Sequence, residues 1–179
     1  RTTVEGTPEW WLDRLDSKRI DRLPRYDLLA KYASGDHPLP DGNERWKEYY
    51  KRWQKRARTN YCGLAARSVS ELMRVDGFEI SDDTARANVN RWWRVNRLNA
   101  HSNLVHSHCA KLGDAYVIVG PNGPGGSPLI TPESPTQVIT ENDPARPEIV
   151  RAGLKVYRDG AIRHAEVYLP GSVSRFWAK

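Results

Sequence analysis

Residues 112–119, Leu112-Gly113-Asp114-Ala115-Tyr116-Val117-Ile118-Val119, contain the change of pattern that decides the fold. Upstream of Gly113 apolar residues recur every three or four positions, the period of a helix face. Downstream, β-branched and aromatic residues run without a break, as in a buried strand. A glycine just past the last periodic residue is the usual end of a helix. Helices first and strands later argue for an α+β fold, a helical layer followed by a mostly antiparallel β-sheet. Residues 1–112 read as mainly helical and 113–179 as mainly strands, with a change of layer near residue 113 inside one domain.

Working back from Gly113, a helix is expected from about Asn99 to Leu112, with Val105, Cys109 and Leu112 along one side. Ser81-Asp82-Asp83 starts an earlier one, with Ala85, Val89, Trp92 and Trp93 inward. Asn60 caps another, in which Tyr61, Ala65, Val69, Leu72 and Met73 share a face. Val75-Asp76-Gly77-Phe78 between them reads as a tight turn into a short strand ending near Ile80. Trp46, Tyr50, Trp53 and Ala57 form one stripe of a further helix. Residues 36–42 form a loop, rich in turn-formers and prolines.

At the N-terminus, Thr7-Pro8-Glu9 combines a hydroxyl cap, proline at the first helical position and an acid that suits the helix dipole. Trp11, Leu15 and Ile20 make its apolar face, and Asp13, Arg14 and Asp16 face water. Pro24 lacks an amide donor and restricts Leu23, so this helix is expected to end or kink there. A second helix with Tyr26, Leu29 and Tyr32 then stops at Ser34-Gly35. Beyond the loop 120–128, strands are expected at 129–130, 137–140, 149–157 and 161–169.

The chain has 179 residues, 28% of them charged, and the mean hydropathy is clearly negative. Its longest apolar run is residues 115–119, against the roughly 20 residues that a membrane helix requires, so no membrane association is expected. Cys62 and Cys109 fit buried, reduced thiols in helices rather than a disulfide framework. The chain opens on Arg1, contains one methionine, Met73, and stops at Phe176-Trp177-Ala178-Lys179 with an apolar pattern still running. It therefore reads as a fragment of something longer.

Net charge is +6. Between Asn43 and Arg58 stand seven basic residues, Arg45, Lys47, Lys51, Arg52, Lys55, Arg56 and Arg58, against Glu44 and Glu48, a local +5. Such a field attracts a polyanion, although a solvated basic helix face needs no ligand. Seven tryptophans and eight tyrosines imply a large aromatic core or extensive subunit contacts.

Catalytic patterns are weak. Residues 120–126 are glycine-rich, but Ser127-Pro128 and a strand follow where a phosphate loop needs a lysine, a hydroxyl and a helix, so a hairpin loop is the better reading. His101 and His108 lie about 10 Å apart along a helix axis, too far to share one ion. His106 and Cys109 are three apart and would need two further ligands. No Gly-x-Ser-x-Gly elbow supports a serine nucleophile. Asp82 and Asp83 fit helix-start acids, and Glu133 and Glu141 sit among prolines and turn residues. No catalytic, metal or cofactor residues are assigned.

Several segments resemble siphophage portal proteins in order and spacing, over about residues 22–140. Residues 25–32, Arg-Tyr-Asp-Leu-Leu-Ala-Lys-Tyr, with Gly35-Asp36-His37-Pro38-Leu39-Pro40, are similar to the opening of that family. Asn60 and residues 69–78 resemble its helix leading into a Leu-x-Val-x-Gly-Phe turn. Trp92-Trp93-Arg94-Val95-Asn96-Arg97-Leu98 resembles its Trp-x-x-Asn-x-Leu segment. Residues 106–110 and 113–119 are similar to its helix-to-strand junction.

The resemblance implies a structural subunit and not an enzyme: part of a ring, usually of twelve copies, at one capsid vertex, through which double-stranded DNA is packaged and ejected. It implies contacts with the major capsid protein, the terminase packaging motor and head-tail adaptors, and a place in the virion after assembly in the host cytoplasm. This segment would be the outward-projecting wing. Lys51, Arg52, Lys55, Arg56 and Arg58 would then meet DNA phosphates, without sequence preference, or a neighbouring subunit. Two other classes compete. A basic helical nucleic-acid-binding protein would show steeply salt-dependent binding as a monomer. A metal-dependent enzyme using His106, His108 or Cys109 would carry stoichiometric metal.

Overall fold

A computed structural model describes residues 3–38, 48–49, 52–53, 59–121 and 123–178. Four helices come first: α1 (Pro8–Ser34), α2 (Tyr61–Leu72), α3 (Asp83–Val95) and α4 (Leu98–Leu112). Six strands follow: β1 (Tyr116–Gly120), β2 (Leu129–Glu133), β3 (Val138–Asn142), β4 (Val150–Asp159), β5 (Ile162–Leu169) and β6 (Ser172–Ala178). The fold is α+β with antiparallel pairing throughout, as expected. One hairpin, β1-β2, is separate from a four-stranded meander in the order β3-β4-β5-β6.

The sequence signals at the helix ends operate as expected. Thr7 Oγ1 accepts the Trp10 amide, Asn60 Oδ1 accepts the Gly63 amide at 2.7 Å, and Asp82 accepts from Thr84 and Ala85. Gly113, at a φ of 82°, caps α4 by donating its amide to the Cys109 carbonyl. That left-handed conformation costs a glycine little and a Cβ-bearing residue much more.

The core lies between the first half of α1 and one face of the meander. Trp11 and Leu15 pack among Ile139, Ala152, Leu154, Val156, Ala165 and Val167, with Trp10, Leu12, Leu169 and Phe176 at its edge. Alternate residues of β4 and β5 supply this face, the two-residue period of a half-buried sheet. The further half of α1 packs on α2 and α4, and β2 packs on α4. One helix of 27 residues therefore serves both layers.

Several expectations need correction. Helix α1 runs unbroken through Pro24, so the two helices read from the sequence are one. Pro24 is exposed, and its missing hydrogen bond falls on the water-facing side where a carbonyl can be hydrated. Ile20 is half exposed and leaves the core to Trp11 and Leu15. No strand forms near Ile80; residues 73–80 have no regular structure, and Phe78 instead meets the Trp93 ring edge-on at 5.3 Å. Both cysteines are exposed, not buried, because each lies on a helix side turned from its neighbours. Strand β1 is covered on one face only, with Val117 and Val119 exposed, because a two-stranded ribbon has a single partner layer.

Strand β6 was absent from the sequence reading. The turn Pro170-Gly171, with Gly171 at a φ of 79°, links it to β5, and Phe176 enters the core. The predicted basic helix over 43–58 falls largely outside the described residues; 48–49 and 52–53 are helical.

Candidate subunit-contact surface

The segments singled out by their spacing turn out to hold one another. Tyr26 on α1 donates its hydroxyl to Asp114, just before β1, at 2.5 Å, with Arg22 at 3.4 Å from the same carboxylate. Burial, reinforced by Asp114, pushes the Tyr26 hydroxyl up to about 12, so it stays a donor. At the far end of α1, Tyr32 stacks on His37 at 5.1 Å. Asn60 Nδ2 donates to the Ala33 carbonyl at 2.8 Å while its Oδ1 caps α2. Gly63 is buried against that same carbonyl.

Asn96, buried between α3 and α4, is the third clamp. Its amide donates to the Trp92 and Pro128 carbonyls, each at 2.9 Å, and its oxygen accepts the Ile130 amide at 2.9 Å. A buried polar side chain is tolerated when its bonds are made, and here they fix β2 to the helical layer. Arg97 next to it has a φ of 51°, the one left-handed non-glycine among the described residues. These residues position backbone; they form no reactive cleft.

What the clamps hold outward is apolar. On α2 the side chains of Tyr61, Leu64, Val69 and Leu72 are exposed, followed by Met73, Val75 and Phe78. The sequence reading placed Tyr61, Val69, Leu72 and Met73 on an inward face. In fact α2 turns its small residues, Gly63 and Ser70, to α1 and α4 and leaves the large ones to solvent. Leu72 is 85% exposed. A run of exposed large apolar residues on one element marks a contact surface for another macromolecule.

Ion pairs tie α1 to the meander. Arg14 meets Glu141 at 2.8 Å, with Lys18 at 3.6 Å. Asp16 accepts from Arg163 at 2.5 Å and from Arg19 at 2.8 Å, so it is a partly buried hub and not the water-facing residue expected. Glu133 and Glu141 lie in strands, not turns, and Glu133 pairs with Lys155 at 2.7 Å. The Arg14 hydrogen bond holds the Glu141 carboxyl below its usual range. Burial opposes ionisation of Asp16, but the bonds from Arg163 and Arg19 outweigh it and leave it lowered too.

Groups depressed in the folded state add stability above the ordinary carboxylate range and lose it as pH falls through their lowered values. Between about pH 6 and pH 3 the melting temperature is therefore expected to fall. The Asp16→Asn, Glu141→Gln double variant should show a shallower fall; an unchanged slope would mean these pairs carry none of it.

Of the residues proposed for DNA or subunit contact, Arg52 is exposed, and Lys51, Lys55, Arg56 and Arg58 lie outside the described residues. His106 and His108 are half-buried on α4, while Cys109 is exposed. Burial and Lys111 lower the basicity of His108, and His101 and His108 each keep a buried Nδ1 without a hydrogen bond. Among the described residues no group of three or more histidine, cysteine or acidic side chains is placed to hold a metal ion. Residues 124–126 form a short 3-10 turn between β1 and β2, the hairpin loop expected. No helix among the described residues is long and apolar enough to cross a membrane.

The sequence missed the outward face of α2. The signal lay in Gly63 and Ser70, seven residues apart on one side of a helix whose other side is apolar. Comparison with known proteins gives one family match: the model described as phage portal protein, SPP1 Gp6-like, covers residues 12–179. No curated protein matches the chain.

Proposed function

Because the chain belongs to the SPP1 Gp6-like family of phage portal proteins, a structural and non-enzymatic family, we propose that it forms the wing of a ring of about twelve copies. The ring sits at the capsid vertex, contacts the major capsid protein, and passes double-stranded DNA inward and outward. The terminase motor and head-tail adaptors dock on it in turn, and assembly takes place in the host cytoplasm. The observation that carries the assembly reading is the exposed apolar side of α2 with residues 73–78, which a monomer in water has no use for.

The basic residues Lys51, Arg52, Lys55, Arg56 and Arg58 face the DNA in this reading, through phosphate contacts blind to sequence. Mass and symmetry of the full-length protein, by native mass spectrometry and electron microscopy, test the ring. A closed particle of integral symmetry is expected; a monomer at all concentrations overturns it. In the same particles, glutamate at Arg52, Lys55, Arg56 and Arg58 should impair DNA packaging and leave assembly intact. Loss of the ring instead assigns those residues to a subunit contact.

A further inference from the structure

We propose that the groove between α1 and β6 receives the α2 end of the neighbouring copy, the exposed run Leu72-Met73-Arg74. This rests on the ring reading above and assigns the second half of the contact. A head-to-tail ring needs two different surfaces on each subunit, one filling the other. The α2 surface is one; the groove fits the other.

The groove has a volume of about 490 Å³ and runs between Leu12, Asp13 and Ser17 on α1 and Phe176 and Trp177 on β6. Its outer wall is the free edge of the meander, since β6 has β5 on one side and no strand on the other. Natural edge strands are usually guarded by charge, proline or a bulge. Strand β6 pairs in unbroken register, contains no proline, and has Arg175 as its single charge. Trp177 is 74% exposed at its lip. A large aromatic ring left at the rim of an open cleft is the usual anchor of a protein contact.

Charge agrees. Asp13 is exposed at the groove and forms no ion pair with a described residue, and Glu9 lies one turn before it on the same side of α1. The α2 end presents Arg74, whose pairing with Asp76 at 3.3 Å is solvent-exposed on both sides and weak. It exchanges readily for an acid in a drier contact. Placement agrees as well. Helix α2 is anchored at Ala33, about 27 Å along the α1 axis from Leu15, so the two surfaces lie toward opposite ends of one rod. A copy cannot fill its own groove.

The test is cross-linking of the full-length protein, with Cys62→Ser and Cys109→Ser removing the exposed thiols of this segment. Trp177→Cys and Leu72→Cys are introduced singly and together, and a short bismaleimide is added to assembled particles. The double variant should give a ladder of dimer, trimer and higher species, and each single variant only monomer. Dimer from Trp177→Cys alone means that two β6 edges meet symmetrically, which overturns the proposal. So does a ladder-free double variant in particles that electron microscopy shows as rings. Absence of rings from the unmodified protein refutes the ring reading itself, so the two failures are separable. A charge exchange supplies a second arm: Asp13→Arg should reduce the assembled fraction about tenfold at fixed concentration, and adding Arg74→Asp should restore it. No recovery in the pair counts against the contact.

Discussion

Leu15→Ala is expected to lower the unfolding free energy by about 2–5 kcal/mol, a large share of the roughly 5–15 kcal/mol that holds a domain together. Leu15 is fully buried, and Trp11, Ile139, Leu154 and Val167 surround it in the core. Removing its branched end takes apolar area from the core and leaves a cavity that a sheet pinned by three strand pairings is poorly able to close. Urea titration measures it: the midpoint should fall while the slope with denaturant stays constant. Ile20→Ala, on the same helix but half exposed, is the control and should cost within about 0.5 kcal/mol. Equal costs for the two would mean that α1 does not seat on the meander through Leu15.

Gly63→Val should dislodge α2 from α1. A Cβ at this position would lie 2.4 Å from the Ala33 carbonyl oxygen and 2.5 Å from Asn60 Nδ2. The first of these is backbone inside a helix and has nowhere to move. Overpacking of this kind costs about 1–3 kcal/mol even for one methyl group, and valine adds two more carbons beside it. The Asn60 bond to Ala33 breaks as the helices part, removing a second restraint. Gly63→Ala should be milder than valine, and Gly77→Ala, where a Cβ meets nothing within 4 Å, should be nearly neutral. Near-ultraviolet circular dichroism of the surrounding tyrosines, with thermal melts, reads the effect. A valine variant as stable as the parent would show that the two helices are not in contact there.

Local rules made much of the architecture legible. Caps at Thr7, Asn60 and Asp82 and the stop at Gly113 need only neighbours within four residues, and the sequence states them. Strands β2 to β5 were visible for the same reason, through alternation and turn residues. Where position depends on partners far along the chain, local pattern misleads. Pro24 looks like a break, yet a helix gripped at both ends by packing absorbs one lost bond on its wet side. Strand β6 hides because Phe176 and Trp177 are adjacent, and only the cross-strand pairing with Ala165 and His164 tells which faces inward. The face of α2 was read backwards because apolar residues were taken to be inward, whereas closeness to α1 selects glycine.

The same limit applies to the contact surface. Asp13 and Trp177 are 164 positions apart, and nothing in either neighbourhood announces the other; the groove exists only once β6 lies beside α1. The family-like segments were legible as a set because the clamps they form, Tyr26 with Asp114 and Asn96 with Ile130, restrict residue choice at both ends.

Helix α1 also has a mechanical consequence. About 40 Å of continuous hydrogen-bonded backbone joins the meander to the helical layer, without a glycine or a loop between the two grips. A pull on α2 reaches the sheet as axial tension in a stiff strut and is not absorbed by a joint. A subunit built this way yields at its borders with other molecules before it yields within itself, so that deformation of an assembly is concentrated at its seams.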